Sequence, residues 1–154
     1  MYRTILVPLD GSKRAEAILS HVELIAEQNK STVVFLKVED EPISLHRDEV
    51  IDMAEYHAMF ERQKARSQSY LATIQSRLSE KDIQTDIRLV YGPVVKSILE
   101  TASEIDADLI AMATHGWSGL TRVSYGSVAA GVLQAAELPI LLIRSGNDFD
   151  ADNL

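Results

Sequence analysis

The chain has 154 residues, 46% hydrophobic and 25% charged, with seven Gly, four Pro and no Cys. That size and balance describe one globular domain and exclude a disordered or collagen-like chain, a disulfide-stapled fold, a thiolate metal centre and a cysteine nucleophile. Fifteen Lys plus Arg against 23 Asp plus Glu leave a formal charge of −8, whose field repels phosphate backbones and argues against a nucleic-acid partner. No apolar run approaches the ~18 residues of a membrane span, and Asp10 interrupts the opening too early for a signal peptide. The expected location is cytoplasmic, with no membrane partner.

Residues 4–9 (TILVPL) form a short run of branched apolar residues closed by Asp10-Gly11-Ser12. This is the pattern of a strand buried on both faces and ended by a turn. Helical spacing follows: Ala15, Ile18, Leu19, Val22, Ile25 and Ala26 share one face, with Ser12 placed to cap it. Thr32 to Val38 is a second buried run, so the chain opens with a strand–helix–strand unit, parallel and right-handed. Glu39-Asp40-Glu41-Pro42 breaks the pattern, and residues 41–47 read as an exposed loop. From Asp48 to Ser79 a long charged helix is predicted, anchored by Val50, Ala54, Leu71, Ile74 and Leu78, its middle polar enough to project beyond the sheet.

Asp82 to Val90 alternates, with Ile83, Thr85, Ile87 and Leu89 on one side and Gln84, Asp86 and Arg88 on the other. That alternation marks a half-exposed strand at a sheet edge. Gly92-Pro93 opens a third helix, with Pro at its first position and Val95, Ile98, Leu99, Ala102 and Ile105 facing inward. Asp108 to Ala113 is predicted as a fourth buried strand and Thr114 to Tyr125 as a loop. Gly126-Ser127 opens the helix VAAGVLQAAE, Pro139 ends it, and ILLIR is a fifth strand. Residues 1–145 thus form one domain, and the acidic stretch 146–154 is expected to be a disordered tail.

Five strands alternating with four helices predict an α/β fold with a doubly wound parallel sheet. Placing the third strand at an edge gives the order 3-2-1-4-5, in which the chain reverses direction between strands 1 and 4. Ligands of such sheets bind outside the carboxyl ends of the strands at that switch point. Asp10 to Ser12 and Ala113 to Gly119 are the residues this order brings there.

The segment 113–128 (ATHGWSGLTRVSYGSV) holds Gly116, Gly119 and Gly126 within eleven positions. Glycine lets backbone approach a ligand, and a helix start at Gly126-Ser127 offers free N–H groups and the positive end of a dipole. Together these read as an anion site, for phosphate, that needs no Lys or Arg. In the same loop, Trp117 and Arg122 read as surface residues. The hydrolase elbow G-x-S-x-G is absent, since Leu120 stands in the last place after Gly116-Trp117-Ser118-Gly119. Gly126 to Gly131 has P-loop glycine spacing, but Val132-Leu133 replace the Lys and Ser/Thr that hold phosphate and magnesium. His21, His46 and His57 form no H-x3-H pair, so no metal site on the protein is expected.

The same segment resembles the nucleotide-binding signature of the universal stress protein family, G-x2-G-x9-G-[S/T]. Gly116 is its second glycine, residues 117–125 are the nine that follow, and Gly126-Ser127 close it; Ala113 stands in place of the first glycine. The first strand's ending VPLDGS, the strand end at Val38 and the closing PILLIR are similar to the family too, so the likeness covers residues 2–145. The resemblance implies a Rossmann-like, adenine nucleotide alpha hydrolase-like fold and a regulatory stress-response protein that binds ATP or AMP and acts as a dimer. Carried over by position, it implies Pro8, Leu9, Asp10 and Val38 around base and ribose, with Asp10 accepting from ribose hydroxyls. Met112, Ala113 and Gly116 would flank ribose and phosphates. Gly126, Ser127 and Val128 would donate backbone N–H groups, with the Ser127 hydroxyl on phosphate. Any Mg2+ would arrive on the nucleotide's phosphates. The implied homodimer pairs fifth strands, residues 139–144, in antiparallel fashion, and an unpaired apolar edge is an aggregation hazard that such pairing removes. No catalytic residue is assigned, because a P-loop lysine is missing and only His115 or Asp10 offers a base. A slow ATP hydrolase and a nucleotide-free dimeric scaffold are the alternatives, the latter resting on Ala113.

Overall fold

The run Thr4–Pro8 forms a strand, β1, whose interior residues are buried because helices cover both faces of the sheet it centres. A computed structural model describes residues 1–40, 52–115 and 126–145. Four further strands, β2 (Thr32–Glu39), β3 (Gln84–Tyr91), β4 (Leu109–His115) and β5 (Ile140–Ser145), join β1 in the order β3-β2-β1-β4-β5. All four pairings are parallel. This is the predicted doubly wound sheet in the predicted order. On β3, Gln84, Asp86 and Arg88 are exposed while Thr85, Ile87 and Leu89 are half-buried, and Ile83 just before the strand is buried, as its edge position demands.

Each face carries two helices. On one, a 3-10 turn (Ala15–Ile18) leads into α1 (Leu19–Asn29), and α2 (Met53–Ser79) lies alongside. Ile18, Val22, Leu71, Ile74 and Leu78 from these helices close over Ile5, Val7, Val33 and Phe35. On the other, α3 (Val94–Glu104) and α4 (Ser127–Ala135) bring Ile98, Ala102, Ala129 and Val132 against Leu6, Val34, Leu36 and Ile110. Phe35, Ile5 and Leu6 are fully buried, and each such side chain contributes roughly 1.5–3 kcal/mol of burial free energy. No helix among the described residues is long and apolar enough to cross a membrane.

Several boundaries differ from the sequence expectation, each for a local reason. The second helix begins at Met53, not Asp48, because the Asp52 carboxylate caps it: its Oδ1 accepts from Ala54 N at 2.9 Å and Glu55 N at 3.4 Å. Val50 and the expected loop 41–47 lie outside the described residues, as does the tail 146–154. Strand β4 continues to His115, two residues past Ala113, because it keeps pairing with β5 through Thr114↔Arg144 and His115↔Ser145. Ser145 Oγ also donates to the Thr114 carbonyl at 2.7 Å. Asp108 stays out of the strand, and its Oδ2 accepts from Arg3 N at 2.7 Å and Thr4 N at 2.9 Å. Pro93 takes the N-cap rather than the first helical place, with ψ 129° leaving Val94 to start the helix. Helix α4 stops at Ala135, since Ala136 is already extended (φ −77°, ψ 137°) on the way to Pro139.

Two predictions follow from the packing. A Cβ on Gly131 would stand 2.7 Å from Val95 Cγ2 across the α3–α4 contact, and a β-branched valine has little rotamer freedom to give way in a helix. Gly131→Ala should therefore destabilise by roughly 1 kcal/mol despite its better helix propensity, with positive coupling to Val95→Ala in a denaturation double-mutant cycle. At Asp108, the N–H groups of Thr4 and then Arg3 hold the carboxyl below its ordinary value. A carboxyl lowered on folding stabilises fully above its unfolded-state pKa of about 3.9 and loses that contribution as pH falls through the lowered value. Asp108→Ala should lower the Tm at pH 7, with the gap from wild type closing as thermal scans descend below about pH 4.

Candidate functional site

At the carboxyl end of β1 the chain keeps to the sheet for one residue more, with Leu9 N donating to the Leu36 carbonyl at 2.8 Å. It then turns sharply. Asp10 Oδ1 accepts from Ser12 N at 2.8 Å, and Gly11 sits at φ +88°, a backbone angle that a Cβ would strain. Ser12 Oγ accepts from Ala15 N, the first N–H of the 3-10 turn, at 3.2 Å, although the N-cap position of that turn falls on Arg14 rather than on the Ser12 that the sequence suggested. This path carries the chain to the α1 face, while the chain after β4 reaches α4 on the opposite face. Between the two diverging connections a cleft of about 270 Å³ opens.

One part of its wall is apolar: Pro8 and Leu9 from β1, Leu36 and Val38 from β2, and Val94 and Ile98 from α3. Met112, Ala113 and Thr114 come from β4, and Ser145 from the end of β5. Gly126, Ser127, Val128 and Ala129 bring in the start of α4, and Arg14 and Ala15 complete the rim. The first intrahelical bond of α4 runs from Ala130 N to the Gly126 carbonyl at 2.9 Å, so the N–H groups of Ser127, Val128 and Ala129 have no acceptor within the helix. Gly126, as N-cap, has no side chain to cap them. The lining thus combines apolar side chains, the backbone donors at the start of α4 and the carboxylate residue Asp10.

Nine of the ten residues singled out from the sequence line this one cleft: Pro8, Leu9, Asp10, Val38, Met112, Ala113, Gly126, Ser127 and Val128. Gly116, the tenth, lies outside the described residues, together with Gly119, Trp117 and Arg122. Sequence reasoning placed Thr114 at the switch point without assigning it a role, and did not bring Arg14, Ser145, Val94 or Ile98 to the site. The inward spacing of Ile98 reads equally as core, and nothing in a turn sequence says that Arg14 lies on a cleft. Two glycine arguments change in the structure. Gly126 adopts φ −54° and ψ 152°, which any residue tolerates, so what it contributes is a bare helix start rather than a special backbone angle. Ala113 is a regular β4 residue paired with Ile143 and is not at positive φ, so its methyl imposes no backbone strain.

Polar groups next to the cleft are largely committed. Lys37 on β2 donates to Glu39 and, at 3.0 Å, to Ser67 Oγ on α2. Gln63 Nε2 adds a bond to Glu39 at 3.0 Å. Burial pushes the Glu39 carboxyl up, but the donors Lys37, Ser67 and Gln63 outweigh it and hold the group below its ordinary value. The cluster fastens α2 to the end of β2. Behind the Asp10 turn, burial and then the charges of Glu16 and Asp10 push the Tyr70 phenol up to about 12, so it stays protonated.

The model of the universal stress protein family matches residues 1–144. Universal stress protein MJ0577 of Methanocaldococcus jannaschii is 26% identical over 158 residues, covering 96% of this chain and 98% of its own length. The solved structure of hypothetical protein MJ0577 superposes with a TM-score of 0.78 at 24% identity, over 96% of this chain and 99% of that one. A universal stress protein in complex with cAMP superposes with a TM-score of 0.67 at 19% identity, covering 94% of this chain and 98% of its own. One from Archaeoglobus fulgidus in complex with dAMP gives 0.65 at 21% identity, covering 92% and 98%. At these identities the superpositions establish a shared fold, and the family match carries the assignment. From its first residue to the penultimate residue of β5, this chain belongs to the universal stress protein family.

Proposed function

We propose that the protein binds an adenine nucleotide, ATP or AMP, in the cleft between β1 and β4 and acts as a dimeric regulatory protein of the stress response in the cytoplasm. The observation that carries this reading is the pairing, in one cleft, of an apolar wall with the bare amino end of α4. A base needs the first and a phosphate the second. Pro8, Leu9 and Val38 would hold the base, and Asp10 would accept from the ribose hydroxyls. Met112, Ala113 and Gly116 would flank the ribose and phosphates. Gly126, Ser127 and Val128 would donate N–H groups to phosphate, joined by the Ser127 hydroxyl, and Mg2+ would enter with the phosphates. That two proteins of the same fold are complexed with cAMP and dAMP supports an adenine nucleotide as the ligand.

A dimer through antiparallel pairing of β5 is part of the same reading. Among the described residues β5 pairs with β4 alone, and Ile140 to Ile143 are half-exposed along that edge, which invites a second strand. We read the site as one of binding without turnover, since the sequence supplies no P-loop lysine.

Calorimetric titration of ATP and AMP tests the site. Saturable binding is expected, weakened at least tenfold in Gly126→Val; φ −54° at this position admits a Cβ without backbone strain, so the variant should fold, with a stability loss no greater than the about 1 kcal/mol that a poor N-cap costs. Absence of both binding and co-purified nucleotide would favour the dimeric scaffold. Sustained phosphate release that disappears in Asp10→Ala would establish the hydrolase instead. Sedimentation equilibrium should return twice the chain mass, and a monomer at tens of micromolar would remove the β5 pairing.

A further inference from the structure

We propose that Arg14 is the phosphate-counting residue of this cleft: its guanidinium engages the phosphates beyond the one held at the start of α4, and so sets a preference for ATP over AMP. The inference rests on the nucleotide reading above. Arg14 and Asp10 are the charged side chains among the described residues that line the cleft. The backbone of Arg14 is helical (φ −63°, ψ −43°), and its carbonyl accepts from Ala17 N at 3.2 Å. It therefore opens the 3-10 turn from a fixed position while its side chain remains exposed. That turn packs on β4 and β5, and the start of α4 lines the same cleft from the opposite face of the sheet.

What distinguishes Arg14 is that its competitors are already engaged. Glu16, the nearest acid along the turn, is paired with Lys13 at 3.6 Å and with Arg77 at 3.2 Å. Asp10 spends one carboxylate oxygen on Ser12 N and forms no ion pair with Arg14. Lys37, whose Cε lies close to Gly11, is tied to Glu39 and Ser67. Among the described residues Arg14 has no ion-pair partner, so a guanidinium fork is available on the cleft without breaking an existing bond. A helix terminus supplies about half a unit of positive charge over its first turn, which suits one phosphate group. In a chain of net charge −8, each further phosphate adds repulsion at long range, and a local arginine offsets it with bidentate, charge-assisted hydrogen bonds.

The test compares ATP, AMP and adenosine by titration calorimetry in wild type, Arg14→Gln and Arg14→Lys. Arg14→Gln should weaken ATP on the order of tenfold to a hundredfold, AMP less, and adenosine not at all, so that the ratio of ATP to AMP affinity collapses. Arg14→Lys should recover part of the ATP affinity, because it restores the charge without the fork. Unchanged ATP affinity in Arg14→Gln, or a parallel loss for adenosine, would overturn the role of Arg14 while leaving nucleotide binding intact. A wild-type protein that binds none of the three would overturn the nucleotide reading itself, and this inference with it.

Discussion

The divergence of the chain on either side of β1 is the constraint from which the site derives. Parallel strands require crossover connections, and those crossovers are right-handed. Moving from β1 to β2 and β3 therefore puts α1 and α2 on one face, while moving from β3 to β4 and β5 puts α3 and α4 on the other. The connections leaving β1 and β4 head toward opposite faces although the strands are neighbours. No side chain of the core has to be sacrificed to make the cleft, because the topology leaves it open. The buried β1 residues Ile5, Leu6 and Val7 anchor both halves, so the geometry of the cleft is tied to the most protected part of the fold.

Electrostatics within this frame are local rather than global. The molecule is strongly acidic, yet among the described residues the cleft gathers backbone donors at the start of α4 and the arginine Arg14. Other charges nearby are neutralised in pairs: Lys37 with Glu39, and Arg77 and Lys13 with Glu16. The Arg77–Glu16 pair ties α2 to the 3-10 turn, and among the described residues the charged lining of the cleft is left to Asp10 and Arg14. A cleft so lined offers an acceptor for hydroxyl groups, donors for anions and apolar side chains in one place.

The elements were legible in the sequence wherever periodicity was strong. The continuous apolar runs of β1, β2 and β4 and the alternation of β3 led directly to the sheet order, because burial on two faces, one face or an edge each leaves its own pattern. Boundaries were less legible. Asp52, not the apolar spacing around Val50, starts α2, since capping is a hydrogen-bonding event that hydrophobic pattern does not record. Likewise β4 reaches His115 because β5 continues beside it, a long-range partner that no local window contains.

For the cleft, strand order alone brought Asp10 to Ser12 and the end of β4 to one place, because it determines which strand ends meet, whereas Pro8, Leu9, Val38, Met112 and Val128 were singled out through the family resemblance and line the same cleft. The reason a glycine stands at 126 needed the backbone angle, which turned out to be ordinary. The same holds for Ala113, whose methyl is harmless to a strand backbone. Arg14 and Ser145 came to the cleft only through folding. A turn residue's direction depends on how the turn packs against β4 and β5, and an arginine's availability depends on which carboxylates its neighbours have already claimed. Local pattern thus dictates what can be buried, and three-dimensional packing decides which of the remaining polar groups stay free to meet a ligand.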